Sequence, residues 1–196
     1  MGIASTSAED AVLHVPEHLA LVPSQDLRLR RVAQPVGRVT DEIRRLIGSM
    51  FDIMYREQGV GLAAPQVGCL ARAIVVDVRP FQRATQPLAL INPRILAARG
   101  GVTETEGCLS LPGIEAPVRR AQFVEVAAIG LDGEPLQLSA DALLARALQH
   151  EIDHLDGILF IDRLTWAQRW RVRRALATVS ASPLPRRPAR PAPVRL

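Results

Sequence analysis

The sequence predicts a single α+β domain, and three features of the 196-residue chain support this prediction. Apolar residues recur at helical spacing over residues 43–54, and a second helical pattern covers residues 141–155. Short apolar runs are typical of strands. Two runs with alternating apolar residues flank Asp132-Gly133, a dipeptide that favours a hairpin turn. The sequence shows no repeat and no linker long enough to divide it, so we expect one domain followed by a disordered C-terminal tail.

The first helix has clear signals at both ends. Thr40 can cap it, and Asp41 and Glu42 fall in the first turn, where the helix dipole favours negative charge. Gly59 lies after the last apolar position and can stop the helix. The apolar residues that share one face of this helix are Ile43, Leu46, Ile47, Met50, Phe51 and Met54.

Between this helix and the late one, the chain carries strand patterns and one stretch rich in small residues. In Gly59–Gly68, glycines and alanines allow a backbone to pass close to a bound molecule. Pro93 interrupts the pattern of the second strand run, 88–96. The five runs predicted as strands are 73–78, 88–96, 102–106, 124–129 and 136–138.

Positive charge is concentrated at the C-terminus. The chain has a net charge of +4, and all of its 24 basic residues are arginine. From Trp166 onward there are eight arginines and no acidic residue, whereas the rest of the chain has sixteen arginines against twenty acids. Such an end is typical of a segment that binds a polyanion, most often a nucleic acid, but a merely solvated end has the same composition.

Composition also indicates the cellular compartment in which the protein works. Two cysteines are too few for a disulfide framework and fit a reducing environment. No apolar run is long enough to cross a bilayer, and the first twenty residues show no targeting pattern. We therefore expect a cytoplasmic protein that acts as a monomer without a membrane partner.

The late helix contains the pattern H-E-x-x-H, with His150, Glu151 and His154. At 3.6 residues per turn the two histidines lie on the same face, where two imidazoles can bind one divalent metal. Glu151 between them can then move a proton. A pair of solvated helix histidines would match the same pattern. The apolar residues that favour a buried helix here are Leu143, Leu144, Ala147, Leu148, Ile152 and Leu155.

A catalytic metal of this type takes a third protein ligand, and spacing alone leaves several candidates. These are His14, His18, a carboxylate, Cys69 and Cys108. Cys108 follows a predicted strand and precedes a proline-marked turn, and a metal would deprotonate a thiol placed there. However, a single cysteine is more often a small buried apolar residue. The sequence pattern therefore does not choose between the two cysteines.

Three stretches together resemble the signature motifs of bacterial peptide deformylases, in the same order and with matching separations. They are G-V-G-L-A-A-P-Q at 59–66, E-G-C-L-S at 106–110 and Q-H-E-I-D-H at 149–154. The similarity extends from about residue 13 to residue 164. It implies a mixed α+β fold in which mainly antiparallel strands surround a central helix carrying H-E-x-x-H, with a further helix at the C-terminus.

The resemblance also implies an activity and a cofactor. The activity is hydrolysis of the N-formyl group from the initiator methionine of newly made polypeptides, with release of formate. The cofactor is one divalent metal ion per chain, natively Fe²⁺, with Zn²⁺ or other divalent ions able to substitute. Glu151 would act as general base and then acid, while Gln66 and the Leu109 N–H would hold the carbonyl oxygen. The implied metal ligands are Cys108, His150 and His154.

Substrate contacts follow from the same comparison. Val60 and Gly61 would border the substrate backbone. Leu143 and Ala147 share a helical face with His150 and are expected to form the walls of a pocket for an unbranched apolar side chain. The neighbouring Arg146 could lie at the pocket mouth or in solvent.

These expectations divide the chain into four segments. Residues 1–12 are expected to form a flexible lead, 13–164 the deformylase catalytic domain, 165–180 a basic C-terminal helix, and 181–196 a disordered tail rich in proline and arginine. Within the catalytic domain, we expect Glu106 and Arg120 to pair and to steady the loop that carries the cysteine.

Two other interpretations remain open at this stage. A zinc metallopeptidase shares H-E-x-x-H but normally takes a third ligand after the helix, where Asp156 and Asp162 are conceivable and no His or Cys follows His154. Alternatively, the arginine-rich end could make the chain a ribosome- or RNA-binding protein. The last helix resembles the C-terminal extension through which some deformylases dock near the ribosomal exit.

Overall fold

Three α-helices and seven strands form the part of the chain that the computed structural model describes, residues 14–79, 81–82 and 86–179. The helices are α1 (Asp41–Arg56), α2 (Ala142–Leu155) and α3 (Trp166–Val179). The strands are β1 (Gly61–Ala63), β2 (Ala73–Val76), β3 (Leu88–Arg99), β4 (Val102–Gly107), β5 (Glu115–Arg120), β6 (Phe123–Ile129) and β7 (Pro135–Asp141). The predicted lead 1–12 and the predicted tail 181–196 lie outside the described residues.

The strands form two sheets, and every named strand pair is antiparallel. The larger sheet has the order β1-β2-β3-β6-β7, and β4 pairs with β5 in a separate two-stranded sheet. Helix α2 packs through Leu144, Leu148 and Ile152 on the core formed with the larger sheet. The predicted α+β class with mainly antiparallel strands is therefore confirmed.

Helix α1 begins where its sequence signals place it. The Thr40 side chain accepts a hydrogen bond from the backbone N–H of Ile43, 3.4 Å away, and Asp41 and Glu42 occupy the first turn. The apolar face of α1 packs with β1 and β2 into a second core cluster. The predicted first helix is confirmed.

Helix α2 is buried along almost its whole length, from Leu144 to Leu155. It ends at Leu155, and two residues later Gly157 turns the chain with a φ of +69°, in the left-handed region that favours glycine. The N–H groups of Gly157 and Ile158 donate to the carbonyls of His154 and Asp153, so the last turn is closed by backbone hydrogen bonds. A buried helix with several polar side chains needs partners for them, and these partners form the site described below.

Two strands of the structure contain a proline. The strand predicted at 88–96 is confirmed, and β3 continues through Pro93 to Arg99, with register shifts against β6 between Ile91 and Arg94. A proline is tolerated at such an irregularity because a ladder hydrogen bond is already missing there. Strand β5, which contains Pro117, was not predicted, because proline and charged residues hide its alternation.

Helix α3 starts with a capping box formed by Thr165 and Gln168. The Thr165 N–H donates to the Gln168 side chain, 3.0 Å away, and the Gln168 N–H donates back to the Thr165 hydroxyl. Val172 packs into the third core cluster, which anchors the helix to the domain. Within the described residues, no helix is both long enough and apolar enough to span a membrane.

We expect Thr40→Ala to lower the free energy of unfolding by about 1 kcal/mol, because the N–H of Ile43 loses its side-chain acceptor. Urea unfolding at neutral pH measures this change. Thr40→Ser is the matched control and should behave like the parent chain. Equal unfolding free energies for the alanine variant and the parent would contradict the capping role.

Candidate metal centre

One thiol and two imidazoles meet beside helix α2. The candidate ligand atoms of Cys108, His150 and His154 all lie within 4.8 Å of one another. The Cys108 Sγ is 3.3 Å from the His154 Nε2. Cys108 lies just after β4, whereas both histidines project from α2, so the cluster joins two separate parts of the fold. Among the described residues, this is the one cluster of three such groups.

The structure places Cys108, and not Cys69, beside the histidines. Cys69 is fully buried in the α1 core cluster, and its thiol donates to the His14 carbonyl 3.7 Å away. Burial raises the pKa of the Cys69 thiol, as expected for a small core residue. The sequence could not distinguish the two cysteines because the contacts that hold the end of β4 against α2 join residues distant in sequence, which a local pattern does not show.

The two acids after the helix are engaged elsewhere. Asp156 accepts a hydrogen bond from Arg72 at 2.7 Å, and Asp162 forms a nearly buried ion pair with Arg30. Neither belongs to the metal-ligating cluster. The alternative of a metallopeptidase with its third ligand downstream of the helix is therefore not supported.

The ring of His150 is held by a carboxylate. Its Nδ1 lies 3.0 Å from the Glu106 Oε2, which leaves Nε2 for a metal. Carboxylates in this position fix the tautomer and the orientation of metal-binding histidines. Burial opposes a charge on His150, but the hydrogen bonds with Cys108 and Glu106 outweigh it and raise its pKa well above the ordinary value.

His154 behaves in the opposite way. Burial lowers its pKa well below the ordinary value, and the positive charges of His150 and Arg120 lower it further. His154 is therefore a neutral imidazole whose lone pair can bind a cation. A cation at His150 would displace a proton, so metal binding is expected to release one.

The donor set fits a divalent transition metal. A metal held by one sulfur and two nitrogens at about 2.0–2.3 Å brings the donors to roughly 3–4 Å of one another, close to the spacing here. Thiolate and imidazole suit zinc and iron, whereas magnesium and calcium prefer oxygen ligands. Three protein ligands leave one position open, which is typical of catalytic rather than structural metal sites.

Glu151 lies in the same cavity as a buried carboxyl. Its residue is 4% exposed, and no described group hydrogen-bonds to its Oε2. Burial, the largest effect, raises its pKa to about 7. A carboxyl with this pKa can accept a proton and return it at neutral pH.

Gln66 presents its amide nitrogen to the cluster. The Ala63 N–H donates to Gln66 Oε1 at 2.8 Å, which fixes the orientation of the amide. Its Nε2 then points at the Cys108 Sγ and the Ser110 hydroxyl, each 3.5 Å away. A donor held in this way can stabilise negative charge on an oxygen bound beside the metal. Ser110 is a contact that the sequence did not single out.

A cavity of about 550 Å³ opens beside the cluster. The residues that the sequence assigned to substrate binding line it together: Val60, Gly61, Leu143 and Ala147. Leu109, Glu106 and Arg146 also line this cavity. Gly61 lies so close to Glu151 that a Cβ at this position would be 2.9 Å from the Glu151 Cγ and Cδ.

Buried ion pairs surround the cluster. Arg120 donates to both oxygens of Glu106, at 2.8 and 2.9 Å, and to Asp153. Burial alone would raise the pKa of Glu106, but Arg120 and His150 outweigh it and hold that pKa at about 2. Asp153 also accepts a hydrogen bond from Arg163, which extends the network of ion pairs beyond Arg120. The pairing of Glu106 with Arg120 was expected, whereas the role of Asp153 was not.

A larger groove of about 840 Å³ lies over β3, β6 and β7. Its lining holds the Arg99–Glu125 ion pair and exposed Phe123, but no histidine and no cysteine. This groove is therefore not the candidate catalytic cavity despite its size, because Cys108, His150 and Glu151 line the smaller cavity.

This site defines the class of the protein as a metallo-hydrolase, and comparisons with known proteins define the family. A family model for polypeptide deformylase matches residues 18–170. A peptide deformylase of Alkalilimnicola ehrlichii is 50% identical over 151 residues, which cover 77% of this chain and 84% of that one.

Solved structures give the same result. A peptide deformylase from Legionella pneumophila is 40% identical, with a TM-score of 0.76 over 82% of this chain and 94% of that one. The Synechococcus elongatus enzyme in complex with actinonin is 42% identical, with a TM-score of 0.76 over 85% and 90% of the two chains. The chain belongs to the polypeptide deformylase family, metallo-hydrolases that remove N-formyl groups from nascent peptides.

We expect Gly61→Ala to reduce turnover by about a hundredfold, because the new methyl group would displace the Glu151 carboxylate. Steady-state kinetics with a formyl-methionyl peptide measure the change, and metal content should stay unchanged. Gly48→Ala in α1 is the control, since a Cβ there meets nothing within 4 Å. Full turnover in Gly61→Ala would contradict the close approach of Gly61 and Glu151.

Proposed function

We propose that this chain hydrolyses the formyl amide of formyl-methionyl polypeptides with one divalent metal bound by Cys108, His150 and His154. The observation that supports this most strongly is that the three donor atoms lie within 4.8 Å of one another, beside a cavity lined by Cys108, His150 and Glu151. We further propose that the chain acts in the cytoplasm as a monomer. The catalytic unit comprises residues 13–164.

We propose Fe²⁺ as the native metal, with Zn²⁺ or another divalent ion able to substitute. Cysteine and histidine donors suit both metals, so the ligands alone do not select between them. When bound, such a metal makes hydroxide available near neutral pH and polarises a carbonyl oxygen. The thiolate of Cys108 would make an iron-loaded site sensitive to oxidation.

Glu151 moves the proton in both halves of the reaction. With a pKa of about 7, its carboxylate accepts a proton from the attacking water. It then donates this proton to the departing amine, which releases formate and a free N-terminus.

Gln66 and Leu109 stabilise the negative charge that grows on the formyl oxygen. The Gln66 Nε2 is already oriented by the hydrogen bond from Ala63 to its Oε1. Leu109 directly follows Cys108, and its backbone N–H is the second donor. Loss of one such donor typically costs about 3 kcal/mol in the barrier.

The cavity explains the preference for methionine. Leu143 and Ala147 line one wall, and Val60 lies near the substrate backbone. Strand β1 is an edge strand that pairs only with β2 in its sheet, so Gly61 can lie beside an extended peptide. The small Ala147 leaves room for an unbranched side chain.

We expect Glu151→Ala to keep the metal and to lose turnover by at least about a hundredfold, because the carboxyl that carries the proton is removed. Metal content and formate release from a formyl-methionyl peptide are measured on the same sample. Turnover equal to that of the parent chain would refute the role of Glu151.

The function itself is tested by comparing formate release from a formyl-methionyl peptide with cleavage of the same peptide without the formyl group. We expect rapid formate release and no cleavage of the internal peptide bonds. Internal cleavage without formate release would instead identify a metallopeptidase.

A second property is proposed for the C-terminal helix, namely docking on the ribosome through RNA. Trp166 is 82% exposed, Trp170 is half exposed, and Arg171 faces solvent at the start of the arginine-rich end. Exposed aromatic and arginine side chains are suited to stacking on bases and pairing with phosphates. Val172 meanwhile holds the helix on the domain.

We expect deletion of residues 166–196 to leave hydrolysis of a small formyl-methionyl peptide intact and to weaken salt-sensitive ribosome binding. A shorter deletion of residues 181–196 keeps α3 and separates its contribution from that of the tail. Ribosome binding that neither deletion changes would favour a merely solvated end.

A further inference from the structure

The metal site is built from two parts that no strand pairing connects. Cys108 follows β4, and in the described part of the chain β4 and β5 pair with each other and not with the larger sheet. His150 and His154 lie on α2, which packs on the larger sheet. The distance between the thiol and the imidazoles therefore depends on side chains that link the β4–β5 hairpin to α2.

Arg146 makes several of these links at once. Its side chain is 6% exposed, and it projects from α2 one turn before His150. Its Nη1 donates to the Val118 carbonyl at 3.1 Å, and its Nη2 donates to the Val102 carbonyl at 3.2 Å. One guanidinium thus holds the backbones of both strands of the hairpin against the helix.

The same guanidinium also orients the carboxylate behind a proposed ligand. Arg146 Nη1 donates to Glu106 Oε1 at 2.6 Å, and its Nε donates to Glu104 at 2.9 Å. The other oxygen of Glu106 contacts the His150 ring. Arg146 therefore reaches both sides of the site: the hairpin that delivers Cys108 and the carboxylate that orients His150.

We propose that Arg146 is a positioning residue that sets metal affinity by fixing the β4–β5 hairpin on α2 and by orienting Glu106. This inference rests on the proposed metal site. The planar guanidinium of Arg146 donates hydrogen bonds to four acceptors at fixed angles, whereas the ammonium of a lysine is a compact charge with three donors. The geometry therefore requires arginine and not merely a positive charge.

The test compares the metal affinity of Arg146→Lys and Arg146→Met with that of the parent chain. Cobalt(II) or zinc is titrated into metal-free protein in competition with a chelator, without denaturant and without substrate. Arg79→Met is the matched control, since Arg79 also holds a buried carboxylate, that of Asp77, but at the end of β2. Urea unfolding of the metal-free variants records their stability separately.

We expect both Arg146 variants to bind the metal about 10- to 100-fold more weakly, as is typical when groups behind metal ligands are changed. The absorption of the cobalt-loaded variants should also change, because the thiolate moves relative to the imidazoles. Arg79→Met should lose stability and keep the parent affinity. Arg146→Lys keeps the charge, so it tests the geometry even where Arg146→Met does not fold.

Affinities within about twofold of the parent in Arg146→Lys would overturn the proposal, as would an equal loss in Arg79→Met. Because no substrate is present, this outcome is independent of the deformylase assay. Failure of the proposed function would appear as absent formate release from the metal-loaded parent chain.

Discussion

The position of Cys108 beside the two histidines depends on buried ion pairs rather than on sheet hydrogen bonds. The Glu106 carboxylate forms ion pairs with Arg120 and Arg146 and a hydrogen bond with His150. All four side chains are buried in the protein interior. Removal of one partner from such a network typically costs about 3–5 kcal/mol, because a charge is left buried without compensation. The hairpin and the helix are therefore fixed to each other where the metal site requires it.

The same burial gives the site its chemistry. It lowers the pKa of His154, so that this imidazole stays neutral, and it raises the pKa of Glu151 toward neutrality. At His150 the hydrogen bonds with Cys108 and Glu106 outweigh burial and raise the pKa. In the described part of the chain, Glu151 Oε2 and His154 Nδ1 are buried without hydrogen-bond partners. Unsatisfied polar atoms are costly in a core, and their presence here is consistent with a site shaped for catalysis rather than for stability.

The sequence predicted what depends on neighbouring residues and missed what depends on distant ones. Helix α1 and the hairpin turn at Asp132-Gly133 followed from local signals, and the motifs placed the candidate site residues. The choice of Cys108 over Cys69 and the burial of Arg146 both depend on the contact between the β4–β5 hairpin and α2, which joins residues distant in sequence. The continuity of β3 through Pro93 depended on a register shift that no local rule records.

The central claim is that one thiolate and two imidazoles bind the same ion. X-ray absorption spectroscopy of protein purified without oxygen, together with metal analysis, tests this most directly. We expect one divalent metal per chain, with one sulfur and two imidazole nitrogens among its donors. A metal shell without sulfur, or a correctly folded chain that binds no metal, would contradict it.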